Sequence, residues 1–131
     1  MSFSNTTETL VLNFLFTTGT AARPNAWYLA LHTANPTDAA TTSTEVSSSN
    51  TSYARVNIGA LTVSGNNATN GSAIDFPTAT GSGFGTVTHV GIWSASTGGT
   101  MYAHAQLTST KAIAAGDVFR IPAGELDVNL D

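Results

Sequence analysis

The chain has 131 residues, with four Lys or Arg against eight Asp or Glu, a formal charge of −4, 41% hydrophobic and 9% charged residues, and no cysteine. One lysine (Lys111) and three arginines (Arg23, Arg55, Arg120) cannot build the basic stripe that neutralises phosphates, which argues against nucleic acid and against an anionic membrane surface. The length fits one domain, residues 1–131, and the lack of cysteine excludes a disulfide framework and thiolate metal ligation.

Thr, Ser and Asn supply 45 of the 131 residues, and these short polar side chains favour turns and strands over helix interiors. The exception comes first. Asn5-Thr6-Thr7-Glu8 has the form of a capping box, followed by Leu10, Val11, Phe14 and Leu15 at helical spacing. This predicts one short N-terminal helix in an arm spanning 1–20, whose apolar face must dock on the domain's own sheet or on a neighbour. The N-terminus has no basic region or cleavage signal of a secretory leader, and no window approaches the roughly 18 apolar residues of a membrane span.

Ala26 to Thr33 alternates as a buried strand, and Asn35-Pro36 ends it. Thr37 to Ser52 is a low-complexity loop in which Val46 is the one sizeable apolar anchor. Tyr53 to Ser64 reads as a strand with a bulge at Gly59, and Asn70-Gly71 as the tight turn of a hairpin leading into Ser72 to Phe76. After the glycine-rich loop Thr80 to Gly85, the segments Thr86 to Ser94 and Thr100 to Leu107 form a second hairpin across Thr97-Gly98-Gly99. Val118 to Ile121 and Leu126 to Leu130 alternate again. Six or seven short strands with turn signals between them predict a mainly β fold over 26–131, an antiparallel β-sandwich of jelly-roll-like or Greek-key type.

No constellation carries a mechanism. His32, His89 and His104 all fall on predicted strands, but their spacing does not demand a zinc site. Asp38, Glu45, Asp75, Asp117, Glu125 and Asp127 offer no pair that sequence places across a cleft as a glycosidase requires. Gly81-Ser82-Gly83-Phe84-Gly85 lacks the lysine and following helix of a phosphate loop, and the Gly-X-Ser-X-Gly frame of a hydrolase elbow. Arg55 and Arg120 sit within strand patterns, where an isolated charge either faces solvent or pairs with a carboxylate across a strand or interface, while Trp27, Trp93, Phe76, Phe84 and Phe119 read as core before they read as a carbohydrate platform. We therefore expect no enzyme, no cofactor and no metal.

The strings Trp27-Tyr-Leu-Ala-Leu-His-Thr-Ala-Asn-Pro36, Tyr53-Ala-Arg-Val56, Ile74-Asp-Phe-Pro-Thr-Ala-Thr80, Gly85-Thr-Val-Thr-His-Val-Gly-Ile-Trp93 and Ala115-Gly-Asp-Val-Phe-Arg-Ile-Pro-Ala-Gly124 resemble a family of small tailed-bacteriophage virion proteins, often described as tail-fibre-like. The resemblance covers roughly residues 27 to 130. It implies a non-enzymatic particle component, made in the host cytoplasm and built into the virion as a homo-oligomer, with trimers common. The compact length and lack of a repeated shaft lean toward a head decoration, or cement, protein that clamps the major capsid protein, with Phe3, Leu10, Val11, Phe14 and Leu15 as the subunit or capsid interface. The alternative is a tail-fibre or baseplate module, contacting neighbouring tail proteins and adhering to host glycan through loops 37–52 and 80–85.

Overall fold

In a computed structural model, which describes residues 1–130, the chain is mainly β with antiparallel sheets and a single α-helix. The helix, α1 (Asn5–Phe16), starts one residue earlier than the capping-box reading places it. Ser4 is the cap, its Oγ accepting from the Thr7 N–H at 3.3 Å, because the same hydroxyl also reaches the Met101 carbonyl at 2.6 Å and so fixes the helix to the sheet. No helix among the described residues is long and apolar enough to cross a membrane.

Ten strands follow in chain order: β1 (Ser2–Phe3), β2 (Tyr28–His32), β3 (Val56–Asn57), β4 (Leu61–Ser64), β5 (Asn67–Asn70), β6 (Ile74–Asp75), β7 (Gly85–Trp93), β8 (Met101–Ile113), β9 (Arg120–Ile121) and β10 (Asp127–Asn129). They form a five-stranded sheet of order β1-β8-β7-β2-β3, a three-stranded sheet β10-β5-β4 and a two-stranded ribbon β6-β9. One face of the large sheet, carrying Leu29, Leu31, Val87, Val90 and Ile92, shares a core with Ile74, Phe76, Phe119, Ile121 and Leu126 from the smaller elements. The aromatic rings there meet edge-on or offset, Phe76 against Phe119 at 5.7 Å and Tyr53 against Phe84 at 5.6 Å.

Two sequence expectations give way to long-range contacts. Tyr53 to Ser64 is not one bulged strand; Gly59, at φ +64°, breaks it so that β3 joins the large sheet and β4 the small one. The hairpin after it turns at Gly65-Asn66, not at Asn70-Gly71. Asn70 is buried as a clasp instead, its amide donating to the Ser72 and Pro122 carbonyls while its oxygen accepts from the Leu126 N–H. Ile74-Asp75 then pairs with Arg120-Ile121, across 45 residues of chain.

The β7–β8 hairpin is longer than its sequence pattern suggests. Between the pairs Val87↔Lys111 and His89↔Gln106, Leu107 to Thr110 stand opposite Thr88 alone, a bulge that bends β8.

The low-complexity stretch is ordered. It contains a 3-10 turn at Thr42–Thr44, and it crosses the second face of the large sheet as a cover. Pro36 is fully buried, Ala40 packs on Ala30, Trp93 and Met101, and Val46 enters the main core. The stretch escaped the hydrophobic pattern because these apolar anchors are few and small, and polar contacts from Asp38 and Glu45 hold the rest.

Candidate interaction surfaces

A charged node at Glu45 holds the far part of the cover. Arg55, whose side chain is 4% exposed, clasps the Glu45 carboxylate with two bonds, Nε to Oε1 at 2.8 Å and Nη2 to Oε2 at 2.7 Å. Its Nη1 donates to the Ala95 and Gly98 carbonyls at 3.0 and 2.8 Å, and the guanidinium lies 4.0 Å over the Trp93 ring. Tyr53 donates its hydroxyl proton to Glu45 Oε1 at 2.8 Å and accepts from the Leu31 N–H. Burial alone would raise the Glu45 pKa, but the bonds from Arg55 and Tyr53 and the Arg55 charge outweigh it and hold the carboxyl below its ordinary range. Burial first, then the Glu45 charge, push the Tyr53 hydroxyl up.

The three histidines do share one face of the large sheet: His32 lies opposite His89, and His104 lies opposite Gly91 two residues along from His89. Each is bound elsewhere. His32 Nδ1 meets Thr44 Oγ1 at 2.9 Å, His89 Nδ1 meets Thr88 Oγ1 at 2.8 Å, and His104 Nε2 meets Asp38 Oδ1 at 2.9 Å. Among the described residues no group of three or more His, Asp or Glu is arranged to hold a metal ion. Burial lowers the pKa of His89, and that of fully buried His32 to about 4 from its ordinary 6.5. Because the Thr44 hydroxyl donates to the Thr41 carbonyl, neutral His32 donates through Nδ1.

A depressed histidine pKa sets a direction. The unfolded chain takes up a proton below pH 6.5 and the folded chain does not until about pH 4, so stability is full above pH 6.5 and drains as pH falls toward 4. The gap amounts to about 3 kcal/mol. Urea midpoints measured from pH 7 to pH 4 are expected to fall steeply in the native protein and more gently in a His32→Gln variant; equal slopes would remove His32 as the cause.

Four further carboxylates are committed to structure. Asp38 bonds His104 and Ser2, Asp75 bonds Arg120, Asp117 accepts from the Ala114 N–H, and Asp127 accepts from Asn67. The Asp75–Arg120 pair is about half exposed on both sides and adds little to stability. The aromatic platform does not form at Trp93, which is 2% exposed beneath Arg55. Trp27 is half-buried, edge-on to Tyr102 at 4.9 Å.

Two surfaces remain. The first is α1. Phe3, Leu10 and Val11 are half-buried, whereas Leu12, Phe14, Leu15 and Phe16 are 57%, 58%, 62% and 76% exposed, and Thr7 is the one buried residue of the helix. The expected interface residues are therefore brought together on one arm, and sequence reasoning missed Leu12 and Phe16, which lie off the stripe it counted. A concentrated apolar patch of this kind is unusual on the surface of a monomer.

The second surface lies where the loops 37–52 and 80–85 meet. The Ser82 N–H donates to the Asn50 carbonyl, Ser52 Oγ reaches the Thr78 carbonyl, and a cleft of about 360 Å³ opens between Thr33, Ser47, Thr51 and Ser82. Gly81 is required there: at φ +60° a β-carbon would fall onto the Asn50 carbonyl. A Gly81→Ala variant is expected to part the two loops at a cost of about 1–3 kcal/mol, read as lost protection of the Ser82 amide in hydrogen exchange.

The base of the arm and the place where the two loops meet sit at opposite ends of the large sheet, although Asp38, at the start of the longer loop, lies against the arm. The arm leaves beside the start of β8, where the Ser4 N–H meets the Tyr102 carbonyl; the loops gather where the Phe84 N–H meets the Ile113 carbonyl, nine β7 residues or about 30 Å away.

No curated protein matches the chain. Residues 2–129 match the family described as podophage GP4 fiber I protein gp80. The match takes in the arm, the sheets and the loops together, and so the chain belongs to this family of phage fibre proteins, virion-associated structural components.

Proposed function

We propose that the protein is a fibre module of the phage tail, assembled as a homotrimer through α1 and presenting the 37–52 and 80–85 loops to host-surface glycan. The observation that carries this reading is that the base of the apolar arm and the junction of the two loops, Ser47 to Ser52 with Thr80 to Gly85, lie at opposite ends of the large sheet. One end binds its like and neighbouring tail proteins; the other faces outward. From Leu10 to Phe16 only Asn13 is polar, so apolar groups surround the helix, and one flat partner would cover a stripe. Three such helices about an axis cover one another on two sides each. The small cleft sets the hydroxyls of Thr33, Ser47, Thr51 and Ser82 beside Val46 and Phe84, which offers hydrogen-bonding groups and an apolar wall to a sugar.

A second reading keeps the same arm but docks it on the major capsid protein as a head decoration, and it is favoured by the absence of a repeated shaft in the sequence. Cryo-electron microscopy of intact virions separates the two. Density for this chain on the tail supports the fibre module; density repeating over the head lattice supports decoration and shifts the functional surface to the arm alone. Binding to host envelopes that is lost in Gly81→Ala would support the loops as the adhesive end, and unchanged binding would remove them.

A further inference from the structure

We propose that the N-terminal arm, residues 1–16, is exchanged between copies, β1 of one protomer adding to the outer edge of β8 of its neighbour. This rests on assembly through α1 and names the contact that fixes it.

Three observations lead there. The arm is pinned to the sheet mainly by polar contacts at its base: Ser4 Oγ to the Met101 carbonyl, Thr7 Oγ1 to the Tyr102 carbonyl at 2.6 Å, and Asp38 Oδ1 gathering Ser2 Oγ and His104 Nε2. These bonds are equally available to an arm arriving from another chain. The connection to the body is a free tether: Thr20 to Ala26 makes no hydrogen bond among the described residues, and only Pro24 and Ala26 are even half-buried. From Thr17 to Trp27 it spans about 35 Å when extended, enough to reach an adjacent copy. Finally, the body leaves the four apolar side chains at the helix tip exposed, whereas an arm lying on a neighbour carries them into the space between protomers. The partner is therefore a second copy of this chain.

The register supplies the test. Phe3 lies opposite Ala103, and because the Ser4 N–H bonds the Tyr102 carbonyl, the adjoining Phe3–Ala103 pair is a non-hydrogen-bonded one, the closer kind. That separation suits a disulfide, and the native chain has no cysteine to confuse it. Copies carrying Phe3→Cys alone are co-expressed with copies carrying Ala103→Cys alone, then oxidised. Exchange is expected to give a mixed covalent dimer on a non-reducing gel, identified by mass spectrometry of the joined peptides. In the doubly substituted chain it is expected to give a covalent ladder up to the full oligomer.

A doubly substituted chain that closes within itself, with no mixed dimer, overturns exchange. Light scattering of the native protein separates the failures. An oligomer with self-closed arms sinks the exchange and leaves assembly through α1 standing, while a monomer removes both. Should the substitutions disturb folding, native protein labelled with carbon-13 and refolded in equal mixture with unlabelled protein reports the same event through isotope-filtered NMR. A contact between Phe3 of one chain and Ala103 of another supports exchange, and a contact found only within chains overturns it.

Discussion

Replacing Phe14 and Leu15 together by lysine is expected to weaken assembly by about 10²- to 10⁴-fold while leaving the fold of each protomer intact. The size follows from burial: two large apolar side chains, each worth about 1.5–3 kcal/mol when removed from water, lose their reason to associate. Lysine suits the test because it is a good helix former and its charge is favourable in the last turn of a helix that has no basic residue there. With Thr7 the only buried residue of α1, the change touches nothing in the core. Sedimentation across a concentration series, together with incorporation into virions, reads the outcome; an unchanged mass distribution would show that association does not run through the helix tip.

The second large effect is expected at Arg55. An Arg55→Met variant leaves Glu45 half-buried with Tyr53 as its one remaining side-chain partner, and releases the Ala95 and Gly98 carbonyls. Breaking a buried pair from one side costs about 3–5 kcal/mol, a fall in Tm on the order of 10–20 °C for a chain of this size. Adding Glu45→Gln removes the stranded charge, and the double variant is expected to recover part of the loss, which a thermal melt of all three proteins checks. Acid acts on the same node. The Glu45 contribution is present above its ordinary pKa of 4.5 and is lost as pH falls through the lower folded value, so it begins to fail only after most of the His32 contribution has gone.

What could be read from the sequence, and what could not, divides by the range of the contacts. The run Trp27 to His32 announced a strand because nearly every residue in it is apolar, and Leu29, Ala30, Leu31 and His32 are indeed fully buried, with both faces of the sheet covered. The β7–β8 hairpin announced itself by alternation on either side of a glycine turn. The cover over the second face did not, since Asp38 meets His104 across 66 residues and Glu45 meets Arg55 across ten, in a stretch whose composition signals only a loop. Asn70-Gly71 misled for a related reason: a turn dipeptide is a local signal, and here the asparagine is committed to Pro122 and Leu126 more than 50 residues away. On the surface, the arm was legible as an apolar helix, but that it would lie against so little of its own domain depended on the two hydroxyls, Ser4 and Thr7, that tie it down at one end.

The opposed placement of the arm's tether and the 80–85 loop has a mechanical consequence. The tether from α1 enters β2 at Tyr28, at one end of the sheet, and the 80–85 loop enters β7 at Gly85, at the other. β2 and β7 run antiparallel with five residues in register, from Tyr28↔Trp93 to His32↔His89. In the proposed fibre module, a pull between the arm and the 80–85 loop would slide these strands along each other, loading their hydrogen bonds all at once instead of peeling them one by one. Rupture under such a load is set by the unfolding rate and not by equilibrium stability, and shear across a largely buried inner strand pair resists it through many bonds at once.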